Sequence, residues 1–328
     1  MKKTILLIAV LTSLIPNIQA QSRAGAVGFY NLENLFDTVD DPEIDDEEYL
    51  PNGKKQWTQE RYQSKLDNMS RVLADLNLDL VGLCEIENRK VLEDLISTPN
   101  LKSKGYEIIH FNSKDRRGID VAALYKPDIF KPISQTIHSV KNPDDPDFKT
   151  RDILLVSGKI GRNDTLHFIV NHWPSRWGTG GEPKRILAAG VARGIVDSLQ
   201  SLNANAKIII TGDFNDDPRN KSLKQTLNAN TKIKEPGQLL NTSYPKYKEG
   251  IGTLYYKGAF NLFDQIIVSE GLTKNGLHYK DGSFTIASFQ YIVHTKGELR
   301  GTPFRTFSRG QFLNGYSDHF PVYIVLEY

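Results

Sequence analysis

Several apolar segments of this sequence end in side chains that can bind a metal, move a proton or hold a water molecule. In chain order, these side chains are Asn31, Glu85, His172, Asp213 with Asn215, Asp264, and Asp318 with His319. A carboxylate beside an apolar strand is costly to bury unless it is paired or binds a metal. Because α/β sheets keep their chemistry at strand ends, six such segments together predict one convergent site.

The segment around Asp213 has the most informative spacing. Its apolar, β-branched start, Lys207–Thr211, has the length of a buried strand. Gly212 is expected to end that strand, and Pro218 to close the following loop. If the chain stays extended past the glycine, Asp213 and Asn215 lie on one face, since strand side chains alternate. An Asx-rich turn is the alternative, because Asp and Asn side chains bond their own backbone in loops.

The elements that must position these side chains alternate along the chain as strands and helices. Apolar stripes at helical spacing predict helices at Thr58–Leu76, Val91–Ile96 and Glu182–Leu202. Short apolar runs predict strands at Ala26–Asn31, Asp79–Cys84, Tyr106–Phe111, Gly118–Tyr125, Ile153–Ile160, Leu166–Val170, Phe260–Val268 and Val322–Leu326. Segments 222–250 and 270–315 are expected to be loops and irregular hairpins. Since no repeat or linker interrupts the pattern, we expect one large α/β domain.

The N-terminal segment has the features of a secretory signal peptide. A basic start, Met1–Lys3, precedes the apolar run Ile5–Ile15, and Ala20 is a small residue suited to cleavage. We therefore expect a signal peptide over residues 1–20, a mature domain over residues 21–328, and export to the periplasm or the extracellular space. The apolar run is too short to span a bilayer as a helix, and no transmembrane segment is expected.

Charge and cysteine content narrow the possible partners. The formal charge of +2 falls to zero when the two lysines of the N-terminal segment are removed. Any attraction to nucleic acid must then come from local basic residues. The candidates are Arg116, Arg117, Arg176, Lys184 and Arg185. The single cysteine, Cys84, lies in an apolar run and cannot form an internal disulfide.

Some candidate side chains have two interpretations. Glu87 shares a strand face with Glu85 and is the competing carboxylate ligand. His172 follows an apolar strand beside an arginine and two tryptophans, so a site role is favoured over a structural hydrogen bond. Trp173 and Trp177 are candidates to stack on a substrate, although packing is the commoner fate of tryptophan.

With these residues in view, the sequence resembles the endonuclease/exonuclease/phosphatase superfamily, which has the deoxyribonuclease I-like fold. The matching segments are FYNLENLFD, LVGLCEIEN, RGIDVAALY, VNHWPSRWG, TGDFNDDP, FDQIIVS and YSDHFPV. They run in the family's order over nearly the whole mature chain, and GDFN together with SDH is the most specific part. The resemblance implies a four-layer α/β sandwich, with two mixed β-sheets packed face to face and helices outside. It also implies phosphate ester hydrolysis with Mg²⁺, or sometimes Mn²⁺ or Ca²⁺.

The same resemblance implies the residues of a metal site. Glu85 matches the metal-binding glutamate, Asn31 the asparagine of the first strand, and Asp318 the late aspartate of the site. Two features depart from the family. Glu33 stands where several members have aspartate, and no residue matches the tyrosine that abasic-site endonucleases place near the phosphate.

Further matches imply catalytic roles. Asp213 and Asn215 match the pair that positions and activates the attacking water. Asp264 matches the acid that orients the catalytic histidine, which is His319 here. His172 matches a second histidine of the deoxyribonuclease branch, near the scissile phosphate. The sequence leaves open whether Asp213 or His319 takes the proton from water.

Together these observations predict an exported, metal-dependent phosphoesterase that acts as a nuclease, with Arg117, Arg176 and Trp173 as substrate-binding residues. A carboxylate–histidine pair and an oxygen-bound cation suit phosphodiester hydrolysis, which builds negative charge on the phosphate oxygens. The expected partner is nucleic acid or another phosphodiester, acted on by a monomer with no protein partner. Two alternatives are an esterase for lipid head groups or small phosphate esters, and a non-catalytic binding module.

Overall fold

The computed structural model describes residues 22–176 and 181–328. The predicted signal peptide and Trp177 lie outside these residues. The α-helices of the described chain are α1 (Gln59–Leu76), α2 (Arg89–Ser97), α3 (Gly181–Leu202) and α4 (Tyr244–Lys248). Among the described residues, no helix combines the length and the hydropathy needed to cross a bilayer.

Most strands belong to two mixed sheets of seven strands each. Numbered along the chain, the strands are β1 (Arg23–Leu35), β2 (Leu80–Ile86), β3 (Glu107–His110), β4 (Asp120–Tyr125), β5 (Phe130–His138), β6 (Ile153–Ile160), β7 (Asp164–His172), β8 (Lys207–Asp213), β9 (Ala229–Asn230), β10 (Leu239–Asn241), β11 (Leu254–Tyr256), β12 (Ala259–Asn261), β13 (Asp264–Ser269), β14 (His278–Tyr279), β15 (Thr285–Ile286), β16 (Phe307–Ser308), β17 (Gln311–Phe312) and β18 (Val322–Glu327). The first sheet has the order β14–β18–β1–β2–β4–β3, with β15 also paired to β18. The second has the order β5–β6–β7–β8–β13–β10–β9, and the pairs β11–β12 and β16–β17 are separate hairpins.

Three apolar clusters hold the layers together. Between the two sheets, side chains such as Phe29 and Phe168 are fully buried. The opposite face of the first sheet carries Tyr30, which belongs to the same cluster as Met69 of α1. Helix α3 covers the outer face of the second sheet with a stripe that includes Val196. Because both faces of each sheet are covered, the architecture is a four-layer α/β sandwich, and this prediction is confirmed.

Helix α1 begins and ends where the sequence predicts, because its capping residues are recognisable. Thr58 accepts a hydrogen bond from the backbone N–H of Arg61 at the N-terminus. Asn77 ends the helix at a φ of 48°, in the left-handed conformation that asparagine tolerates. The helix packs on the first sheet through the apolar cluster that contains Met69 and Tyr30.

Strand β8 continues through Gly212 to Asp213, so the glycine does not end the strand as predicted. A Cβ atom at Gly212 would lie 2.2 Å from the carbonyl oxygen of Asn171 in the neighbouring β7. The glycine is therefore required by the close approach of two strands rather than by a turn. Its effect is to bring the last residues of β7 and β8 side by side.

The predicted strand Phe260–Val268 is two strands in the structure. β12 ends at Asn261, and β13 begins at Asp264. Because β13 runs antiparallel to β8, its first residue is the register partner of Asp213, the last residue of β8. Segment 222–250, predicted as loop, also contributes β9 and β10 to the edge of the second sheet.

Candidate active site

Asp213, Asp264 and His319 form a buried chain of polar contacts at the ends of the sheets. Asp213 ends β8 and Asp264 begins β13 opposite it. His319 lies just before β18, and its Nδ1 is 2.6 Å from Oδ2 of Asp264. Its Nε2 is 3.8 Å from Oδ2 of Asp213. Asp264 therefore orients the imidazole so that its other nitrogen is directed towards Asp213.

Two hydrogen bonds hold the carboxylate of Asp213. Oδ1 accepts from the backbone N–H of Asn215 at 2.9 Å, and Oδ2 accepts from Nδ2 of Asn31 at 3.1 Å. Asn215 has a φ of 50°, and its Nδ2 donates to the carbonyl oxygen of Trp173 at 3.0 Å. The segment is thus an Asx turn, and the turn places Asp213 and Asn215 on the lining of one cavity.

Glu85 reaches the same cavity because the backbone of β2 is irregular at this residue. Its φ is 59°, and the pairing of β2 with β4 shifts register around it. A positive φ is costly outside glycine, and a bulge re-aims the side chain that it carries. Oε1 accepts from Nδ2 of Asn31 at 3.1 Å, and Oε2 accepts from the backbone N–H of Asn34 at 2.9 Å. Asn31 therefore bridges the carboxylates of Glu85 and Asp213.

The competing carboxylate, Glu87, points elsewhere. It is buried, and its Oε2 accepts from the backbone N–H of Asp37 at 2.6 Å. Burial raises the pKa of Glu87 to about 8. Glu85 lines the cavity beside Asp213, whereas Glu87 lines a different depression. The geometry therefore favours Glu85 as the carboxylate of the site.

His172, the last residue of β7, lies on the other side of Asp213. Its Nε2 is 3.8 Å from Oε1 of Glu85 and 3.8 Å from Oδ2 of Asp213. Burial, and then the positive charges of Arg151 and Arg117, hold the pKa of His172 well below its ordinary value. The imidazole is therefore neutral at physiological pH and can donate one hydrogen bond without adding charge.

The pKa values of Asp213 and His319 are both raised, and the resulting charge states give the two residues different roles. Burial raises the pKa of Asp213 to about 7, although the positive charge of His319 opposes the shift. Burial alone would lower the pKa of His319, but the carboxylates of Asp264 and Asp213 outweigh it and raise that pKa well above its ordinary value. At neutral pH the imidazole is protonated, while Asp213 can gain or lose a proton. A base beside a fixed cation is suited to proton transfer from water.

The donor set of this region fits a hard divalent cation. Ligand atoms of Glu85, His172 and Asp213 lie within 4.8 Å of one another, and the same holds for Asp213, Asp264 and His319. Over residues 22–176 and 181–328, Nδ1 of His172 and Oδ1 of Asp264 are buried without a hydrogen-bond partner. One neutral amide group, that of Asn31, bridges the carboxylates of Glu85 and Asp213, so this bridge leaves their negative charge in place and an ion that prefers oxygen ligands can bind them.

The two other predicted ligands have different surroundings. Asp318 lines the cavity, but its Oδ2 accepts from Nη2 of Arg305 at 2.8 Å. Oδ1 of Asn31 accepts from the backbone N–H of Glu33 at 2.8 Å, so its amide nitrogen faces the carboxylates. Metal ligation by Asp318 and Asn31 stays a prediction. Arg305, which also pairs with Glu33 at 3.3 Å, was not predicted because it follows no apolar strand.

The two predicted substrate-binding arginines both line the cavity. The side chain of Arg117 is 54% exposed and lies 3.4 Å from the carboxylate of Asp115. Arg176 donates to the carbonyl oxygen of Asn215 at 2.9 Å and pairs with Asp217 at 3.0 Å. Arg117 is therefore the more available of the two for a substrate, while Arg176 also braces the loop after β8.

Trp173 does not offer its ring to a substrate, and this prediction is wrong. The side chain is 1% exposed and meets Phe214 edge-on, with ring centroids 4.6 Å apart. Its Nε1 donates to Oδ1 of Asn171 at 3.0 Å. The carbonyl oxygens of His172 and Trp173 accept from Arg151, a buried arginine that no strand-end pattern marks in the sequence. The ring of Trp173 is therefore packed in the core, which is the commoner location of a tryptophan ring.

One cavity of about 410 Å³ is lined by six of the predicted catalytic and metal-site residues, namely Glu85, His172, Asp213, Asn215, Asp318 and His319. Asn31 and Asp264 are fully buried and do not line it. The lining also includes Arg117, Arg305 and the aromatic rings of Tyr255 and Phe263. Arginines of this kind bind phosphate oxygens, and the acid–base groups beside them can activate water. The arrangement can therefore hydrolyse a bound phosphate ester.

Comparisons with known proteins show the family and the fold of this chain. The model of the Endonuclease/Exonuclease/phosphatase family matches residues 26–328. A family protein of that description from Bacteroides thetaiotaomicron is 18% identical, with a TM-score of 0.56 over 94% of this chain and 99% of that chain. The mannosyl-6-phosphatase of Bacteroides thetaiotaomicron VPI-5482 is 18% identical, with a TM-score of 0.55 over 92% and 99%. TDP2 of D. rerio, solved with a single-strand DNA product, is 13% identical, with a TM-score of 0.57 over 92% and 98%. A comparison with curated proteins found no match.

Proposed function

The chain belongs to the endonuclease/exonuclease/phosphatase family, whose members are metal-dependent hydrolases of phosphate esters, and we propose that it is an exported nuclease. The observation that carries this proposal is the contact chain Asp264–His319–Asp213. Its last two members line a cavity that Arg117 and Arg305 also line, while Asp264 is fully buried. Hydrolysis of a phosphodiester needs a base for water, a donor for the leaving oxygen, and positive charge around the phosphate. The cavity supplies all three.

In the proposed mechanism Asp213 takes a proton from the attacking water. Its Oδ2 lies 3.8 Å from Nε2 of both His172 and His319, too far for a direct hydrogen bond, so all three groups can bond a water molecule or a phosphate oxygen that enters the cavity. His319, kept protonated by Asp264, stabilises the negative charge that develops on the phosphate or on the leaving oxygen. Neutral His172 donates a hydrogen bond to another phosphate oxygen.

A divalent cation would be held by the carboxylate of Glu85. The carboxylates of Asp213 and Asp318 line the same cavity. Mg²⁺ is the expected ion, with Mn²⁺ or Ca²⁺ as alternatives, because the donors are carboxylate oxygens. When bound, the ion supplies positive charge that stabilises the transferring phosphoryl group. Asn31 then keeps the carboxylates of Glu85 and Asp213 at a fixed spacing.

A nucleic-acid substrate is favoured by the exposed arginine at the cavity, Arg117, and by the fold shared with a protein solved with a DNA product. The second candidate is an esterase for small phosphate esters or lipid head groups. It is favoured by the small cavity, about 410 Å³, and by the fold shared with a mannosyl-6-phosphatase. The two candidates use the same catalytic groups and differ in what lies beyond the scissile phosphate.

A substrate panel tests the proposal. Single-stranded DNA, duplex DNA, RNA, bis(p-nitrophenyl) phosphate and mannose 6-phosphate are each offered with Mg²⁺ and with EDTA. We expect the highest kcat/KM on a nucleic acid, with activity lost in EDTA. Turnover of the sugar phosphate alone would select the second candidate. No hydrolysis of any substrate with Mg²⁺, Mn²⁺ or Ca²⁺ would contradict both.

Export is proposed from the N-terminal sequence, which predicts cleavage after Ala20. N-terminal sequencing of the protein recovered from periplasm or culture medium is expected to begin at Gln21. Recovery from the cytoplasmic fraction with residues 1–20 intact would contradict this part of the proposal.

A further inference from the structure

A second cleft, of about 780 Å³, adjoins the active-site cavity. The two share four lining residues, which are Tyr255, Tyr256, Arg305 and Asp318. A substrate that places a phosphate between Asp213 and His319 can therefore extend into this cleft without leaving the protein surface. The cleft lies outside the catalytic contacts described above, and the proposed mechanism makes no use of it.

The cleft carries an excess of positive charge. Lys257, Lys296 and Arg309 line it and are exposed. Within residues 22–176 and 181–328, none of these three side chains forms a salt bridge. The carboxylates of the lining are Glu298 and Asp318, and Arg305 already pairs with Asp318. Unpaired cations along a concave surface raise the local concentration of an anionic ligand.

One wall of the cleft is aromatic and is fixed relative to the catalytic histidine. The β11–β12 hairpin carries Tyr255 and Tyr256, and 43% of Tyr256 is exposed. The ammonium group of Lys257 lies 5.2 Å from the ring centre of Tyr256. Leu254, at the base of the hairpin, forms a β-bridge with His319. An exposed ring beside unpaired cations is suited to stack on a nucleobase while the cations bind the adjoining phosphate.

Resting on the proposed nuclease function, we propose that this cleft binds the neighbouring nucleotides of a single-stranded nucleic acid whose scissile phosphate lies at Asp213 and His319. Lys257, Lys296 and Arg309 contact the next phosphates along the strand, and Tyr256 stacks on an unpaired base. Stacking of this kind requires a base that has left its duplex partner, so single strands are preferred to duplexes.

The test is a charge-removal variant combining Lys257→Asn, Lys296→Gln and Arg309→Asn. Asparagine suits two of these positions, because Lys257 and Arg309 both have a φ of 49°, which asparagine tolerates. A matched control removes three exposed lysines of a different segment, Lys224→Gln, Lys232→Gln and Lys234→Gln. Both proteins are assayed with Mg²⁺ on a single-stranded oligonucleotide, its duplex, and bis(p-nitrophenyl) phosphate, over a range of NaCl concentrations.

The readout is the ratio of kcat/KM on the oligonucleotide to kcat/KM on the small diester. We expect the cleft variant to lower this ratio by roughly 10-fold or more. Its salt dependence on a single strand should flatten by about 0.7 for each phosphate that the protein no longer neutralises. The control variant should keep the ratio of the unmodified protein. In the unmodified protein, kcat/KM on the single strand should exceed that on the duplex.

Several results would overturn the inference while leaving the catalytic site intact. These are an unchanged ratio in the cleft variant, an equal fall in the control variant, or a preference for duplex over single strand. Hydrolysis of the small diester without cleavage of the oligonucleotide would also overturn it. If the unmodified protein hydrolyses neither substrate with any of the three metals, the proposed function itself fails. A second variant, Tyr256→Leu, should weaken oligonucleotide binding measured as KM; an unchanged KM would remove the stacking contact.

Discussion

Asp264 is the antiparallel register partner of Asp213, and a histidine near the end of the chain, His319, lies against both carboxylates. Oδ2 of Asp264 lies 2.6 Å from Nδ1 of His319, and the other ring nitrogen lies 3.8 Å from Asp213. Two carboxylates on adjacent strands thus act on one imidazole from both sides. The two carboxylates raise the pKa of His319 and so keep it protonated. Burial raises the pKa of Asp213 to about 7, close to physiological pH.

The first prediction concerns the proposed base. Asp213→Asn should lower kcat by a factor on the order of 10² to 10⁴, the usual scale for a positioned acid–base group. The thermal midpoint should change little. Burial disfavours the charged carboxylate and raises its pKa to about 7, and relief of that cost offsets the one hydrogen bond that the asparagine amide can no longer accept. Steady-state kinetics and a melting curve check both statements, with the exposed Asp144→Asn as control. Full activity in Asp213→Asn would remove Asp213 from the mechanism.

The second prediction concerns pH. The negative charge of Asp264 helps to raise the pKa of His319, so Asp264→Asn should lower that pKa. Protonated His319 is then lost at a lower pH, and the alkaline limb of the kcat/KM profile should move to lower pH. Asp217→Asn, which removes a carboxylate paired with Arg176 instead, should leave the limb in place. An alkaline limb that does not move in Asp264→Asn argues against a protonated His319.

The third prediction identifies the metal carboxylate. Glu85→Gln should raise the Mg²⁺ concentration needed for half-maximal activity by roughly 10-fold or more, since second-sphere losses alone reach that scale. Glu87→Gln should change it little, because Glu87 hydrogen-bonds to the backbone of Asp37 and lies outside the cavity. Metal titrations of both variants provide the test. The opposite pattern would move the ligand to Glu87.

The fourth prediction concerns the pH dependence of stability that the buried carboxyl group of Glu87 causes. Burial raises its pKa from 4.5 to about 8. Its contribution to stability is complete below pH 4.5 and is lost as the pH rises through about 8, because the folded protein must then bury a charge. The Glu87→Gln protein has no carboxyl group to titrate at this position. Its thermal midpoint minus that of the unmodified protein should therefore increase by about 2–6 °C between pH 5 and pH 8. Melting curves at both values test this, with the exposed Glu93→Gln as control. A difference independent of pH contradicts the shifted pKa.

The sequence predicts the four-layer fold through its resemblance to the family, and it predicts the convergence of the site because strand ends are visible as apolar runs that stop at polar residues. Asp213 and Glu85 are found this way. Register is not visible, so the opposition of Asp213 and Asp264 appears only in the structure, where the predicted strand Phe260–Val268 divides at Asp264.

Other features depend on contacts between distant segments. Arg305 lies in an irregular stretch, and its role comes from meeting Asp318 and Glu33 in space. Trp173 follows a strand that ends at the site, yet its ring turns into the core, because a strand-end position does not determine which side a side chain faces once the chain leaves the strand. Sequence spacing therefore finds residues at strand ends more reliably than residues in loops.

The most direct test of the account is single-turnover cleavage of a labelled single-stranded oligonucleotide by residues 21–328. The unmodified protein is compared in Mg²⁺, in EDTA, and in EDTA followed by excess Mg²⁺, beside His319→Gln, whose uncharged side chain can still hydrogen-bond to Asp264. The account predicts cleavage in Mg²⁺, loss in EDTA, recovery on adding the ion back, and a rate lower by about 100-fold or more in the folded variant. Cleavage that survives EDTA, or that proceeds at full rate in His319→Gln, would contradict it.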